Sequence, residues 1–160
     1  MPDFQITVYI DASFASCPRT GRSTSAFLVY IGQNLVFWKS VKQPVVALSS
    51  TEAEYIALAY GIREAYFVRY IMIDLGVLID NTNKIITVYE DNQSAIALGK
   101  EPALRKRSRG WDPKWHWVQD QEKLGLIDLR YIDTKDMVAD IGTKPLGPTD
   151  FNRLKKYLVD

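Results

Sequence analysis

The sequence predicts an α/β chain built on a mixed five-stranded sheet, its first three strands antiparallel and its helices on both faces. Three observations carry this. Phe4, Ile6, Val8 and Ile10 alternate with Gln5, Thr7 and Tyr9, the two-residue period of a half-buried strand. Two further apolar runs follow, the last two at hairpin distance, so three successive strands form an antiparallel meander. From about Thr51 the apolar period lengthens to that of a helix, and strand then alternates with helix. That order suits a sheet with helices packed on its faces.

Each element has its own signal. The first strand ends at Asp11, and a turn-rich stretch, Ser16-Cys17-Pro18-Arg19-Thr20-Gly21, leads to a second run, Ala26 to Ile31. Gly32-Gln33-Asn34 reads as a hairpin turn into a third strand, Leu35 to Lys39. Tyr55, Leu58, Ala59, Ile62, Ala65, Tyr66 and Met72 then recur at helical spacing, with Gly76 as the stop. Lys84 to Tyr89 is a fourth strand ending at Asp91, followed by a short helix, Gln93 to Gly99. Asp112-Pro113 has the form of an N-cap with proline at the first helical position. Ile127 to Ile132 is the fifth strand, and helices around Asp136 to Gly142 and Asp150 to Leu158 close the chain.

Composition narrows the chemistry. The 160 residues suit one domain spanning 1–160, with 142–148 a candidate hinge before the terminal helix. No apolar run is long enough to span a membrane, and the first residues lack the form of a secretory signal, so a cytoplasmic, reducing setting is expected. One Cys and one His cannot make an ordinary structural zinc site, and nucleophilic hydrolase chemistry would rest on His116 alone. Asp and Glu number 19, so carboxylates are the available tools. Net charge is only +1, yet Arg105, Lys106, Arg107, Arg109 and Lys114 cluster, interleaved with Trp111 and Trp115. Such a stretch can track a phosphate backbone or can be a solvated basic loop with core tryptophans. Trp38 and Trp117 read as core, and His116 as a helix-surface or packed histidine.

Four carboxylates stand at element ends: Asp11 after the first strand, Glu52 in the first turn of the long helix, Asp91 after the fourth strand, and Asp140 in a late helix. Open α/β sheets bind ligands at such ends. Like charges gathered there would raise one another's pKa. A pair of divalent cations resolves the repulsion, and all-oxygen ligation suits Mg²⁺. Each residue also has a structural reading. Asp11 could be a turn residue, Asp91-Asn92 a cap, and Asp140 a helix-start acid. Ser49-x-x-Glu52 and Thr51-x-x-Glu54 are both capping boxes; the second would leave Glu52 free to face the strand ends.

Several runs resemble the ribonuclease H domains of Ty1/copia-type retrotransposons. From Trp38 through Ser49-Ser50-Thr51-Glu52-Ala53-Glu54-Tyr55 the chain follows the family's W-K-S…S-S-T-E-A-E-Y signature. Asp91-Asn92-Gln93-Ser94-Ala95 and Ala139-Asp140-Ile141-Gly142-Thr143-Lys144-Pro145-Leu146 match two more of its motifs, and Asp11-Ala12-Ser13 with Arg22-Ser23-Thr24-Ser25 fits its first two strands. The likeness covers roughly residues 7 to 146.

The resemblance implies a ribonuclease H fold and two Mg²⁺ ions, with Mn²⁺ a substitute. It also implies hydrolysis of the RNA strand of RNA–DNA hybrids during reverse transcription, leaving 5′-phosphate and 3′-hydroxyl ends. Carried over residue by residue, the catalytic and metal-binding set is Asp11, Glu52, Asp91 and Asp140. Asp11 would bridge both ions, Glu52 and Asp91 would hold the leaving-group side, and Asp140 the side of the attacking water. Asn92 and Gln93 are candidate 2′-hydroxyl partners, or simply a helix cap. A reverse transcriptase in the parent polyprotein is the implied partner, and retrotransposon particles a further setting. Two departures stand out. The loop Asp133-Thr134-Lys135-Asp136 lacks the histidine that many ribonucleases H carry before the last catalytic Asp, and Gly110 replaces a family histidine. A silent hybrid-binding module is the rival reading; an integrase-like nuclease is a third.

Overall fold

The computed structural model describes residues 4–78, 85–101, 110 and 116–158. Five strands form one sheet in the order β3-β2-β1-β4-β5. These are β1 (Ile6–Ser13), β2 (Thr24–Ile31), β3 (Asn34–Lys42), β4 (Ile86–Glu90) and β5 (Ile127–Tyr131). β1, β2 and β3 pair antiparallel, while β4 joins β1, and β5 joins β4, in parallel. Among the described residues the α-helices are α1 (Ser50–Asp74), α2 (Gln93–Lys100), α3 (Trp117–Lys123), α4 (Asp140–Thr143) and α5 (Pro148–Lys155). The mixed sheet and its antiparallel meander match the sequence expectation.

The main core lies between the sheet and α1. Ile6, Val8 and Ile10 of β1 and Ile86 and Val88 of β4 meet Ile56, Leu58 and Ile62 of α1 there. α1 comes very close to the sheet at Gly61, where an added Cβ would sit 2.5 Å from Ile10 Cδ1 and 3.2 Å from Phe27 Cβ. Its end is set by Gly76, whose φ of +71° is a conformation that only glycine adopts without strain. The opposite face carries a smaller cluster, in which Met137, Val138 and Ala139 cover Leu28 and Tyr30. The Tyr30 hydroxyl donates to the Tyr157 carbonyl (2.8 Å), tying the turn after α5 to the same face. Helices thus lie on both faces.

Three local expectations change. β1 runs through Asp11 to Ser13, because Ala12 and Ser13 still pair with Ser25 and Thr24. The helix expected around Asp136 to Gly142 is instead a 3₁₀ turn, Thr134–Asp136, then the four-residue α4. Met137, Val138 and Ala139 are all buried in succession, and one helical stripe could not turn three consecutive side chains to the same core. Trp38, read as core, is 69% exposed, because β3 is the edge strand and the short α4 meets it near Ser40. Trp117 packs against the main core as expected. His116 is buried, its ring 6.4 Å from that of Tyr55. The expected helix start at Asp112-Pro113 and the strand start at Lys84 lie outside the described residues.

Candidate metal centre

The pairing of β1 with β4 builds the centre. Thr7, Val8 and Tyr9 pair with Thr87, Val88 and Tyr89, and continuing that register two residues sets Asp11 beside Asp91. Strand alternation turns Asp11 away from the α1 side that holds Ile10 and Ala12. The first turns of α1 approach the same strand ends from the other face. One carboxylate oxygen each from Asp11, Glu54 and Asp91 lies within 4.8 Å of the other two.

Glu52 is not in this group. Ser49 is the N-cap of α1, its hydroxyl accepting the Glu52 N–H at 3.1 Å, and the Glu52 carboxylate accepts the Leu48 N–H at 2.7 Å. Of the two candidate caps the first, Ser49, is the one that forms, with Glu52 reaching back to the amide just before it, and Glu54 lies two residues on, outside the cap. Gln43 fixes that turn: fully buried, it donates through Nε2 to the Ser25 hydroxyl (2.9 Å) and the Ala53 carbonyl (2.8 Å). The Ala12 N–H donates to Glu54 itself. A sequence signal for Glu54 existed. It lies four and seven residues before Leu58 and Gly61, on the stripe of α1 that faces β1.

Asp140 joins the centre through α4. Asp11 pairs with Ala26 on β2, and Gly142 is packed so closely on Ala26 that an added Cβ would lie 2.6 Å from the Ala26 Cβ. The Ser40 hydroxyl holds the Gly142 carbonyl at 2.5 Å. This close approach lets the Thr143 hydroxyl donate to Asp11 Oδ2 while lying 3.3 Å from the Asp140 carbonyl. Lys144 Nζ stands 2.8 Å from Asp140 Oδ1. Gly142 and Thr143 are therefore fastened to the sheet. Thr143 and Lys144 were not singled out in the sequence.

The electrostatics are those of crowded, buried acids. Asp11 is 3% exposed, and burial, then the field and hydrogen bond of Asp140 and the field of Asp91, push it up to about 7 against the Thr143 hydrogen bond. Glu54 is 7% exposed and pushed up to about 9 by burial first, then by Asp11 and Asp91. Behind them Glu90 is fully buried and held well above the carboxylate range by burial and by Glu54. Burial works against the Lys144 ammonium, but its hydrogen bond to Asp140 and the fields of Asp11, Asp140 and Asp91 outweigh that and raise its pKa.

Asn92 caps α2, its Oδ1 accepting the Ala95 N–H at 2.9 Å. Gln93 is exposed at the start of α2, next to Asp91. Arg105, Lys106, Arg107, Arg109 and Lys114 lie outside the described residues, and Gly110 is exposed with open space around it. A groove of about 600 Å³ on the α5 side, lined by Tyr9, Tyr30, Tyr89 and Tyr157 among others, contains none of these four carboxylates. No helix of the described residues is long and apolar enough to cross a membrane.

No protein-family model matches the chain. Curated sequences do. It is 32% identical over 143 residues, 89% of its length, to the retrovirus-related Pol polyprotein from transposon RE1 of Arabidopsis thaliana. It is 30% identical over 150 residues to the corresponding polyprotein from transposon TNT 1-94 of Nicotiana tabacum. A Ty1 Gag-Pol polyprotein of Saccharomyces cerevisiae is 27% identical over 157 residues. The chain spans 10% of the length of the RE1 polyprotein and 11% of that of TNT 1-94. Among solved structures, an RNase H1 isolated from compost superposes with a TM-score of 0.59 at 15% identity, covering 88% of this chain and 93% of that one. The N-terminal RNase H domain of a Mycobacterium tuberculosis protein gives a TM-score of 0.56 at 13% identity, with 95% and 94% covered.

Proposed function

We propose that this chain, a ribonuclease H-fold domain related to Ty1/copia-type retrotransposon Pol polyproteins, is a divalent-metal-dependent endonuclease that hydrolyses the RNA strand of RNA–DNA hybrids. The observation that carries this reading is the convergence of Asp11, Glu54 and Asp91 within 4.8 Å, with Asp140 tied to Asp11 through Thr143.

The residues fit a pair of hard cations. Their donors are all carboxylate oxygens, the ligation that Mg²⁺ and Mn²⁺ favour. Glu54 Oε2 is buried without a hydrogen-bond partner among the described residues, and burial with mutual repulsion pushes Asp11 up to about 7 and Glu54 up to about 9 in the absence of a cation. Asp11, Glu54, Asp91 and Asp140 would hold the ions, with Glu54 taking the role the sequence reading gave to Glu52. When bound, such ions supply Lewis acidity that activates water and stabilises the leaving 3′-oxygen of a phosphodiester.

The chain's own groups prepare that chemistry. Thr143 orients Asp11 by donating to it, and Ser40 and Gly142 hold α4, and with it Asp140, against the sheet. Lys144 neutralises Asp140 in the metal-free chain. Gln93, whose side-chain amide both donates and accepts, and the amide hydrogens of Asn92, which donate, lie beside Asp91 and are the groups we assign to the 2′-hydroxyls of the RNA strand. The basic residues Arg105 to Lys114 are assigned to backbone phosphates. A reverse transcriptase in the parent polyprotein, in the cytoplasm or in particles, would deliver the hybrid.

A labelled RNA–DNA duplex incubated with Mg²⁺ tests this. The chain is expected to cut the RNA strand and to stop with EDTA, with Glu54→Gln inactive and Glu52→Gln active. Hybrid binding without cleavage would favour the silent-module reading, and cutting by Glu54→Gln at the rate of the unaltered chain would remove the proposed centre.

A further inference from the structure

Glu90 occupies a position built for an apolar side chain. Along β4 the buried residues are Ile86, Val88 and Glu90, so strand alternation turns Glu90 toward α1 with its two hydrophobic neighbours. It is 0% exposed. A carboxyl at such a place is costly unless it is hydrogen-bonded. Its Oε1 takes two backbone amides at once, the Asp91 N–H at 3.0 Å and the Asn92 N–H at 2.9 Å. Its Oε2 is buried with no hydrogen-bond partner among the described residues, and Glu54 is the charged group that acts on it most strongly.

The two amides belong to the turn that presents the third carboxylate of the centre. Asp91 has left the strand, and Asn92 caps α2 with its side chain, so neither amide is held by the ladder of β4 with β5, which ends at Glu90 and Tyr131. A leucine there would fill the core as well as glutamate does but would accept neither amide. The turn would then be free to carry the Asp91 carboxylate away from Asp11 and Glu54.

We propose that Glu90 is a positioning residue: by clamping the Asp91 and Asn92 amides it fixes the turn that aims Asp91 into the metal centre. This rests on the two-metal reading above. Glu90 touches neither substrate nor cation in this role.

The test compares Glu90→Leu with Glu90→Gln in the whole chain, reading amide hydrogen exchange at Asp91 and Asn92 and Mn²⁺ affinity by calorimetry. Thermal unfolding of both variants checks that they are folded. Glutamine keeps a carbonyl oxygen for the two amides and leucine does not. Glu90→Leu is expected to lose exchange protection at both amides and to bind Mn²⁺ at least about tenfold more weakly, the usual scale for removing a group that orients a metal ligand. Glu90→Gln is expected to restore both. Unchanged protection or unchanged Mn²⁺ affinity in a folded Glu90→Leu overturns the proposal, as does failure of Glu90→Gln to rescue. If the unaltered chain binds no Mn²⁺ while the exchange result holds, the two-metal reading fails and the clamp on the turn stands.

Discussion

The Thr143 hydroxyl donates to the Asp11 carboxylate across 132 positions of sequence, and this bond fastens the last helical segment before α5 to the first strand. It also lowers the pKa of Asp11 against the burial that raises it. Thr143→Val keeps the shape and removes the donor. A buried carboxylate deprived of its partner costs about 1–3 kcal/mol, so thermal unfolding should show that loss. Mn²⁺ affinity should fall with it, and Thr143→Ser should retain most of both. Equal stability of Thr143→Val and the parent would show that the bond does not hold α4.

Glu52 and Glu54 are two residues apart and meet different groups, Glu52 the Leu48 amide and Glu54 the carboxylates of Asp11 and Asp91. Glu52→Ala should cost about 1 kcal/mol, the usual worth of a helix cap, and leave hybrid cleavage within a few-fold. Glu54→Ala should abolish cleavage and remove the buried, repelled acid, so its metal-free stability should hold or rise. Steady-state kinetics beside thermal melts separate the two effects.

Gly142 has no room for a side chain. Its added Cβ would meet the Ala26 Cβ at 2.6 Å, so Gly142→Ala must lift α4 from β2. Overpacking of this kind costs about 1–3 kcal/mol. Because Thr143 and Asp140 ride on the same four-residue helix, Mn²⁺ binding should weaken as well. Calorimetry on a variant that still melts cooperatively reads the second effect separately.

Stability without metal should fall as pH rises. The unfolded chain releases its carboxyl protons near about pH 4, whereas the folded chain keeps those of Asp11 to about 7 and Glu54 to about 9. Between these limits the folded state binds more protons, so each such group contributes stability below its unfolded pKa that is lost as pH climbs through its folded one. Each imposes a slope of about 1.4 kcal/mol per pH unit while folded and unfolded forms differ by a full proton. Melts in EDTA from pH 5 to 9 should decline, Asp11→Asn should flatten the lower part, and Mn²⁺ should oppose the decline by stabilising the ionised set. A rise of melting temperature with pH in EDTA would contradict this.

Much of the fold was legible because β1, β2 and α1 carry uninterrupted apolar periods, and because glycine punctuates where the backbone turns, as at Gly76. The 3₁₀ turn and α4 look like one helix in the sequence because buried residues at 137–139 give the same pattern whichever backbone carries them. The exposure of Trp38 is hidden in the sequence because an aromatic on a strand does not say whether that strand is an edge. In the centre, Asp11, Asp91 and Asp140 stood at element ends where an acid is conspicuous. Glu52 and Glu54 compete for one role, and overlapping capping boxes leave the helix start undecided by two residues, roughly half a turn. Only the observed cap at Ser49 separates them. Thr143 acts on Asp11, distant in sequence, and Glu90 on backbone amides, which no periodicity encodes, whereas Lys144 pairs with Asp140 at the i,i+4 spacing that a local pattern does show.

The most direct test is a crystal soaked in Mn²⁺ and measured for anomalous scattering. Peaks ligated by Asp11, Glu54 and Asp91, with Glu52 still on the Leu48 amide, are the expected result. Manganese held by Glu52 in place of Glu54, or none among these carboxylates at millimolar Mn²⁺, would contradict the account.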